Sequence, residues 1–465
     1  MKKIISIFAA ALCMVSCSDM LDIVPKGKTT LEKTLDLEML LNQEYGFTMA
    51  AEDIGMICNE SIGSMTSVPE VLAQPNTVAY AHMTYDETVD RAALTPTDGR
   101  YDNAYKYINY MNTILSKIGD AEGEESRKPS IIAEARIIRA YMHWIMVNIH
   151  ARQYDEATAA TDGGVPYVDD TDVSTQKTKQ SVAEVYRRIL EDCSDEVIAA
   201  LPASNPNVER VDRAFGNAVR AKVLMQMKRY DEALPYALES LKLNGTIEDR
   251  STVADTWDWA LPQTYEGNLL YISQGVRICP TMETLSQETA ALFEPGDYVI
   301  EYMGEDGWSY MFGEIFMGVP GCPMFFGWST MGNPWGITSD RMYYTAAECL
   351  IRTGDIRRGL EMADRVRACR VEDYTPFTDI CDEAGSLTEA EAMALMQPAK
   401  WIECIGSYEN FFDSRRWNTE PAYRRTITRD LGEYGTFELA PDSPLWVLPF
   451  PANAVRYNSS LTQNY

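Results

Sequence analysis

Apolar residues recur along this chain at steps of three and four, the spacing of one buried helix face. In the clearest example, Ser130 to Asp155, the stripe consists of Ile131, Ala135, Ile138, Met142, Ile145 and Ile149. Ser181 to Glu184 has the S-x-x-E form of a capping box, which predicts a helix ending near Pro202. A further helix is predicted over Asp212 to Arg229. The pattern indicates a mostly α-helical protein with little β-structure.

Two stretches resemble the turn and second helix of a tetratricopeptide repeat. One runs from Lys228 to Leu241, and the other runs from Arg352 to Val366. In such pairs a Tyr or Ile fills the corner between two helices, and a small residue three positions later lets the helices approach. A third copy, Tyr154 to Ala157, is either a repeat or a chance match. Because the copies lie far apart, we expect a helical repeat scaffold with long insertions, not a regular solenoid.

The insertion that says most about ligand binding covers residues 257–335. It holds 15 aromatic residues in 79 positions, about 19% against 10% for the chain, and its second half is rich in Gly and Pro. Gly and Pro at this density predict loops. Aromatic side chains on loops either form a small local core or stack on a ligand, for example on the apolar face of a sugar ring. The candidate ligand-binding residues are Trp308, Tyr310, Trp328, Trp335 and, upstream of the insertion, Tyr85.

The first residues are typical of an export signal. Lys2 and Lys3 precede a largely apolar run from Ile4 to Val15, which is too short to span a bilayer. The run ends in Ser16-Cys17, which resembles a bacterial lipobox, so Cys17 is the predicted lipidation site. Secretion without a lipid, or a chance cysteine, is the alternative. No later segment reaches 18 apolar residues.

Composition and charge exclude several classes of function. The 465 residues carry a formal net charge of −28, which argues against a nucleic-acid partner because phosphate contacts need clustered Lys and Arg. No C-x-x-C pair, P-loop, H-E-x-x-H or G-x-S-x-G motif occurs. Of the three histidines, His143 and His150 share a helix face and are better explained as scaffold residues than as metal ligands. We therefore expect no catalytic residue, metal or cofactor, although a glycosidase needs only two carboxylates.

Several sequence blocks then follow one another in a characteristic order. They are Cys17 to Gly27, Tyr105 to Leu115, Glu134 to Tyr141, Gly163 to Pro166, Ser181 to Pro202, Arg213 to Leu241, Phe411 to Trp417, Leu448 to Pro451, and Leu461 to Asn464. In these blocks the chain resembles the SusD/RagB family of outer-membrane lipoproteins from Bacteroidetes. It departs from the family pattern at Ser407-Tyr408, where Glu-Gly is usual, and at Asn410, where Arg is usual.

The resemblance implies a tetratricopeptide-like scaffold with loops on one face and no catalytic activity. Such proteins are anchored in the outer membrane by lipid, face the cell exterior, and pass a captured nutrient to a SusC-like TonB-dependent transporter. The nutrient is most often an oligosaccharide or polysaccharide. Peptide capture is the alternative, and a surface glycosidase is less favoured.

The domain prediction divides the chain into four parts. They are a signal peptide (1–16), an N-terminal helical region (17–245), a loop-rich insertion that is the candidate ligand face (246–340), and a C-terminal region (341–465). After cleavage of the signal peptide, the last three are expected to form one compact unit.

Overall fold

Helices dominate the structure, a computed structural model that describes residues 31–47, 51–63, 66–253, 264–273, 282–304, 307–326 and 332–465. The prediction of a mostly α fold is confirmed. The helices are α1 (Thr34–Met39), α2 (Glu52–Ile57), α3 (Val68–Leu72), α4 (Val78–Thr84), α5 (Arg91–Leu94), α6 (Gly99–Lys117), α7 (Lys128–His150), α8 (Val182–Asp192), α9 (Asp195–Ala200), α10 (Arg213–Gln226), α11 (Tyr230–Leu243), α12 (Arg250–Val253), α13 (Gln287–Ala290), α14 (Tyr298–Gly304), α15 (Trp308–Met317), α16 (Ser339–Arg352), α17 (Ile356–Arg367), α18 (Phe377–Ala384), α19 (Glu389–Glu403), α20 (Glu409–Asn418) and α21 (Ala452–Tyr457).

The strands are short and form three small antiparallel sheets. They are β1 (Ser61–Gly63), β2 (Asn268–Leu270), β3 (Met282–Leu285), β4 (Met324–Phe326), β5 (Ile337–Thr338), β6 (Ile427–Asp430) and β7 (Thr436–Leu439). The first sheet has the order β1-β3-β4, β2 pairs with β5, and β6 and β7 form a hairpin. The first sheet therefore joins the N-terminal region to two separate segments of the aromatic insertion.

The two predicted repeat pairs are present. Helix α10 packs on α11, and α16 packs on α17. Gly359 shows why a small residue is needed at the crossing, because a Cβ there would lie 2.8 Å from the carbonyl oxygen of Ala347. The third copy, residues 154–157, contains no helix. Among the helices described, none is both long and apolar enough to cross a membrane.

Two predicted helices end earlier than their apolar pattern suggested. The stripe from Ser130 to Asp155 corresponds to α7, which stops at His150 because Ala151 is extended. The Arg415 side chain donates hydrogen bonds to the carbonyl oxygens of Asn148 and Ala151 and so fixes this end. The helix predicted to run to Pro202 is two helices, α8 and α9, which are separated at Cys193.

The insertion contains more regular structure than its Gly and Pro content predicted. Helices α13, α14 and α15 and strands β2, β3 and β4 all lie within residues 257–335. Gly307 and Gly318 do not break α15 but flank it, with φ of +66° and +75° in the left-handed region that glycine adopts without strain. The expectation of loops alone is therefore wrong for this segment.

Candidate ligand-binding surface

Helix α15 leaves most of its apolar side chains in solvent. Among the side chains of α15 whose burial is described, Ser309, Gly313 and Met317 form the buried stripe. The exposed fractions of the other large apolar side chains are 36% for Tyr310, 50% for Met311, 38% for Phe312, 65% for Ile315 and 38% for Phe316. These five residues are called the aromatic ridge below. An exposed apolar patch of this kind marks a surface that contacts a ligand or a partner.

Close backbone packing fixes the orientation of α15. A Cβ on Gly313 would lie 1.8 Å from the carbonyl oxygen of Cys322, so no larger residue fits without moving the helix. The hydroxyl of Ser309 donates a hydrogen bond of 2.5 Å to the carbonyl oxygen of Met324 on β4. The stripe from Ser309 to Met317 therefore holds the helix against residues 322–324, and the ridge points away from that contact.

A separate apolar cluster packs against the buried side of α15. Met317, Val319 and Cys322 are completely buried in it. Their partners come from the N-terminal region and from the β6–β7 hairpin, namely Met56, Ile62, Val68, Val71, Met83 and Leu431. The ridge thus rests on segments that are distant in sequence.

The ridge combines ring faces with aliphatic side chains. At 100° per residue, Phe312 and Phe316 lie on one flank of α15, Met311 and Ile315 on the crest, and Tyr310 and Glu314 on the other flank. The rings of Phe312 and Phe316 are 6.0 Å apart with an interplanar angle of 27°. Rings of this kind can stack on the CH face of a sugar, whereas Met311 and Ile315 suit a protein contact.

The five predicted ligand residues lie in different places. Tyr310 is on the ridge, Trp308 is the first residue of α15, and Trp328 lies outside the described residues. Trp335 is completely buried, with its ring centroid 5.0 Å from that of Phe47. Protein atoms therefore cover the faces of its ring.

Tyr85 is also buried, with 6% of its surface exposed, and the guanidinium of Arg429 lies 4.4 Å from its ring centroid. The structure does not bring Trp335 and Tyr85 to the ridge.

The sequence interpretation missed Met311, Phe312, Ile315 and Phe316. A signal was present, because the ten residues of α15 contain seven large apolar side chains and only one charged residue, Glu314. A helix without a polar face is expected in a core. Only the tertiary structure shows that α15 lies at the surface.

Two histidines of α7 are scaffold residues. The ring of His143 is buried; its Nδ1 donates to the carbonyl oxygen of Arg139 at 2.8 Å, and its Nε2 accepts from the amide of Val168 at 3.0 Å. Burial lowers the pKa of His143 to about 3 and that of His150 to about 4. Both are therefore neutral at physiological pH.

Metal and disulfide chemistry is not found in the described ranges. No group of three His, Cys, Asp or Glu residues among them could hold a metal ion. The cysteines described there are free thiols, namely Cys58, Cys193, Cys322, Cys349, Cys369, Cys381 and Cys404. Cys17, the predicted lipidation site, lies outside the described residues.

The structure thus defines a helical repeat protein with an exposed aromatic helix, and comparison with known proteins gives its relatives. Residues 19–225 match a SusD-like family model described as "Starch-binding associating with outer membrane". No curated protein matches the sequence.

Solved structures of SusD superfamily proteins share the fold. One from Bacteroides thetaiotaomicron is 17% identical, with a TM-score of 0.71 over 93% of this chain and 100% of that chain. A second from the same species is 13% identical, with a TM-score of 0.67 over 94% and 99%. A SusD-like carbohydrate binding protein from Bacteroides vulgatus is 15% identical, with a TM-score of 0.62 over 92% and 97%. The chain therefore shares the fold of these SusD superfamily proteins, and the resemblance seen in the sequence is confirmed.

Proposed function

We propose that this protein binds a carbohydrate at the outer membrane, with the aromatic ridge as its contact surface. The observation that carries the proposal is the exposure of Tyr310, Phe312 and Phe316 on a helix whose packing is fixed by Gly313. Rings held in place before binding lose little conformational entropy when a sugar stacks on them. The description of the matching family model and the carbohydrate-binding relative support a sugar as the ligand.

The same proposal includes a lipid anchor and a transporter partner. A lipid on Cys17 anchors the protein in the outer membrane, and the protein faces the cell exterior. A SusC-like TonB-dependent transporter receives the captured ligand. The aliphatic crest of the ridge, Met311 and Ile315, supports a protein contact next to the sugar site, since side chains without rings fill apolar interfaces. No catalytic step is proposed.

Peptide capture is a second candidate function, and the same aliphatic crest favours it. A binding screen of the soluble chain that starts after Cys17 separates the two functions. Neutral polysaccharides, their oligosaccharides and mixed-sequence peptides are tested by isothermal titration calorimetry. Saturable binding to one class of glycan is expected. Binding to peptides alone would replace the carbohydrate proposal with peptide capture.

The lipid anchor has its own test. Cells that express the full chain are labelled with a palmitate analogue, and the membrane fraction is analysed. Cys17→Ala is expected to lose the label and the membrane association, whereas Cys13→Ala, a change within the predicted signal peptide, keeps both. Labelling that survives Cys17→Ala would exclude this anchor.

A further inference from the structure

A cavity far from the ridge in sequence lies between α19, α20, Tyr423 and Arg425. Its volume is about 270 Å³, and its lining includes Trp401, Ser414, Trp417, Asn418, Tyr423 and Arg425. Arg425 is the only charged residue among the described residues that line it. This cavity is called the Arg425 pocket below.

The positive charge of Arg425 has no partner in the described part of the chain. No Asp or Glu oxygen there lies within 4 Å of it, and its guanidinium lies 5.4 Å from the ring centroid of Trp401. The neighbouring Arg424 does have a partner, Asp442, at 3.3 Å. In a chain of net charge −28, an unpaired Arg at a cavity is a place for an anion.

Two neutral groups of the pocket also lack partners. Ser414 and Asn418 are 4% and 9% exposed, and Ser414 Oγ and Asn418 Nδ2 have no hydrogen-bond partner within the described residues. A buried polar group without a partner destabilises the folded state by about 1–3 kcal/mol. A ligand with hydroxyl groups would remove this cost.

The floor of the pocket is apolar and rigid. The indole N–H of Trp401 donates to Thr289 Oγ1 at 3.1 Å, and that of Trp417 donates to Glu348 Oε1 at 2.9 Å. Both rings are therefore fixed in position. Another cavity, of about 260 Å³, shares Leu292, Trp401 and Arg425 with the first, so the two cavities adjoin at these residues.

We infer that the Arg425 pocket binds a sugar residue that carries one carboxylate, a uronic acid, at a site separate from the aromatic ridge. One unpaired cation matches one carboxylate, the free hydroxyl and amide match sugar hydroxyls, and the indole floor matches the CH groups of the ring. The choice of a sugar over another carboxylate rests on the proposed function; the anion site itself does not.

Calorimetry of the soluble chain with D-glucuronate, D-glucose and acetate tests the inference. Glucuronate is expected to bind at least tenfold more tightly than either glucose or acetate. Equal binding of glucuronate and glucose would overturn the assignment of an anion site. Equal binding of acetate and glucuronate would overturn the assignment of a sugar.

Variants locate the site. Arg425→Gln is expected to weaken glucuronate binding at least tenfold, Arg425→Lys to restore part of it, and Ser414→Ala to weaken it about threefold. The matched control is Arg424→Gln, which removes the adjacent, already paired charge and leaves binding unchanged. Melting temperatures confirm that each variant folds. Unchanged affinity in Arg425→Gln would overturn the inference.

The double variant Phe312→Ala/Phe316→Ala separates this inference from the proposed function. It is expected to lose neutral glycan and to keep glucuronate. If wild type binds no neutral glycan but glucuronate binding depends on Arg425, the ridge proposal fails and the pocket stands. Loss of glucuronate in the folded double variant would show that the two surfaces are one site and overturn their separation.

Discussion

The aromatic ridge and the charged groups around Glu348 differ in the kind of side chain that they expose to solvent or bury. On the ridge, apolar residues lie in solvent. Around Glu348, charged residues are buried and paired: Arg416 binds both carboxylate oxygens at 2.8 Å, Lys400 lies at 3.3 Å, and Asp413 bridges Arg416 and Lys400 at 2.8 and 2.6 Å. The four residues Glu348, Lys400, Asp413 and Arg416 are called the Glu348 cluster below.

This difference separates residues that stabilise the fold from residues that are exposed and available for contact. The Glu348 cluster joins α16, α19 and α20, and two of its residues, Asp413 and Arg416, belong to the sequence block from Phe411 to Trp417. Although burial alone would raise it, Arg416 and Lys400 hold the pKa of Glu348 well below its ordinary value. Each charged group of the cluster already has an opposite charge within 4 Å, so none of them needs a ligand as its counter-charge. Exposed rings, by contrast, contribute little to folding and are available for contact.

Breaking the Glu348 cluster should have the largest effect on stability. Glu348→Ala removes a carboxylate that pairs with two buried cations, Arg416 and Lys400. The free energy of unfolding should therefore fall by about 3–5 kcal/mol. The matched control is Glu361→Ala, which removes a half-exposed pair with Arg365 and should cost less than about 1 kcal/mol. Denaturant unfolding measures both. Similar losses in the two variants would contradict the structural role of the cluster.

A buried carboxyl group that titrates near neutral pH should make stability depend on pH. Glu60 on the loop before β1 hydrogen-bonds Glu283 on β3 and Asn410 on α20, the last at 2.6 Å. Burial raises the pKa of Glu60 from 4.5 to about 7, so the folded chain keeps a proton that the unfolded chain releases. Stability should therefore fall by up to about 3 kcal/mol as pH rises from 4.5 to 7.

Glu60→Gln should remove this dependence, because the amide does not titrate. The difference in unfolding free energy between wild type and variant is measured across the same pH range, so that titration of the buried histidines cancels. A difference that stays constant with pH would show that Glu60 does not hold the proton.

A change that displaces α15, the helix that carries the ridge, should have a smaller effect on stability but should clearly weaken ligand binding. The Cβ of Gly313→Ala would collide with the carbonyl oxygen of Cys322 and push α15 outward, at a cost of about 1–3 kcal/mol. Gly119→Ala is the control, since its Cβ meets no atom within 4 Å. Thermal unfolding and glycan titration measure both variants. Glycan affinity that is unchanged in Gly313→Ala would mean that the position of α15 is unimportant.

Local sequence patterns predicted the scaffold well. The helix predicted from Asp212 is present as α10, with Asp212 as its cap, and Ser181 accepts from the amide of Glu184, as the capping pattern there predicted. Only half of the predicted box forms, because the Glu184 carboxylate binds Arg187 instead. These features depend on residues a few positions apart, so a single sequence contains the information.

The candidate site could be predicted only as a region. Aromatic composition pointed to residues 257–335, where the ridge lies. It did not distinguish Tyr310, which is exposed, from Trp335, which packs on Phe47 from a distant part of the chain. Burial of such a ring depends on long-range contacts. The short distance from Gly313 to Cys322, which decides what α15 exposes, is likewise a tertiary feature.

The affinity of Phe312→Ala/Phe316→Ala for the glycan selected by the binding screen tests the ridge most directly. Truncating two stacking rings should weaken binding at least tenfold, while the melting temperature changes by only a few degrees because both side chains are over one-third exposed. Tyr457→Ala, which removes a 72% exposed ring elsewhere, should bind as wild type does. Wild-type affinity in the folded double variant would contradict the proposal that the ridge binds carbohydrate.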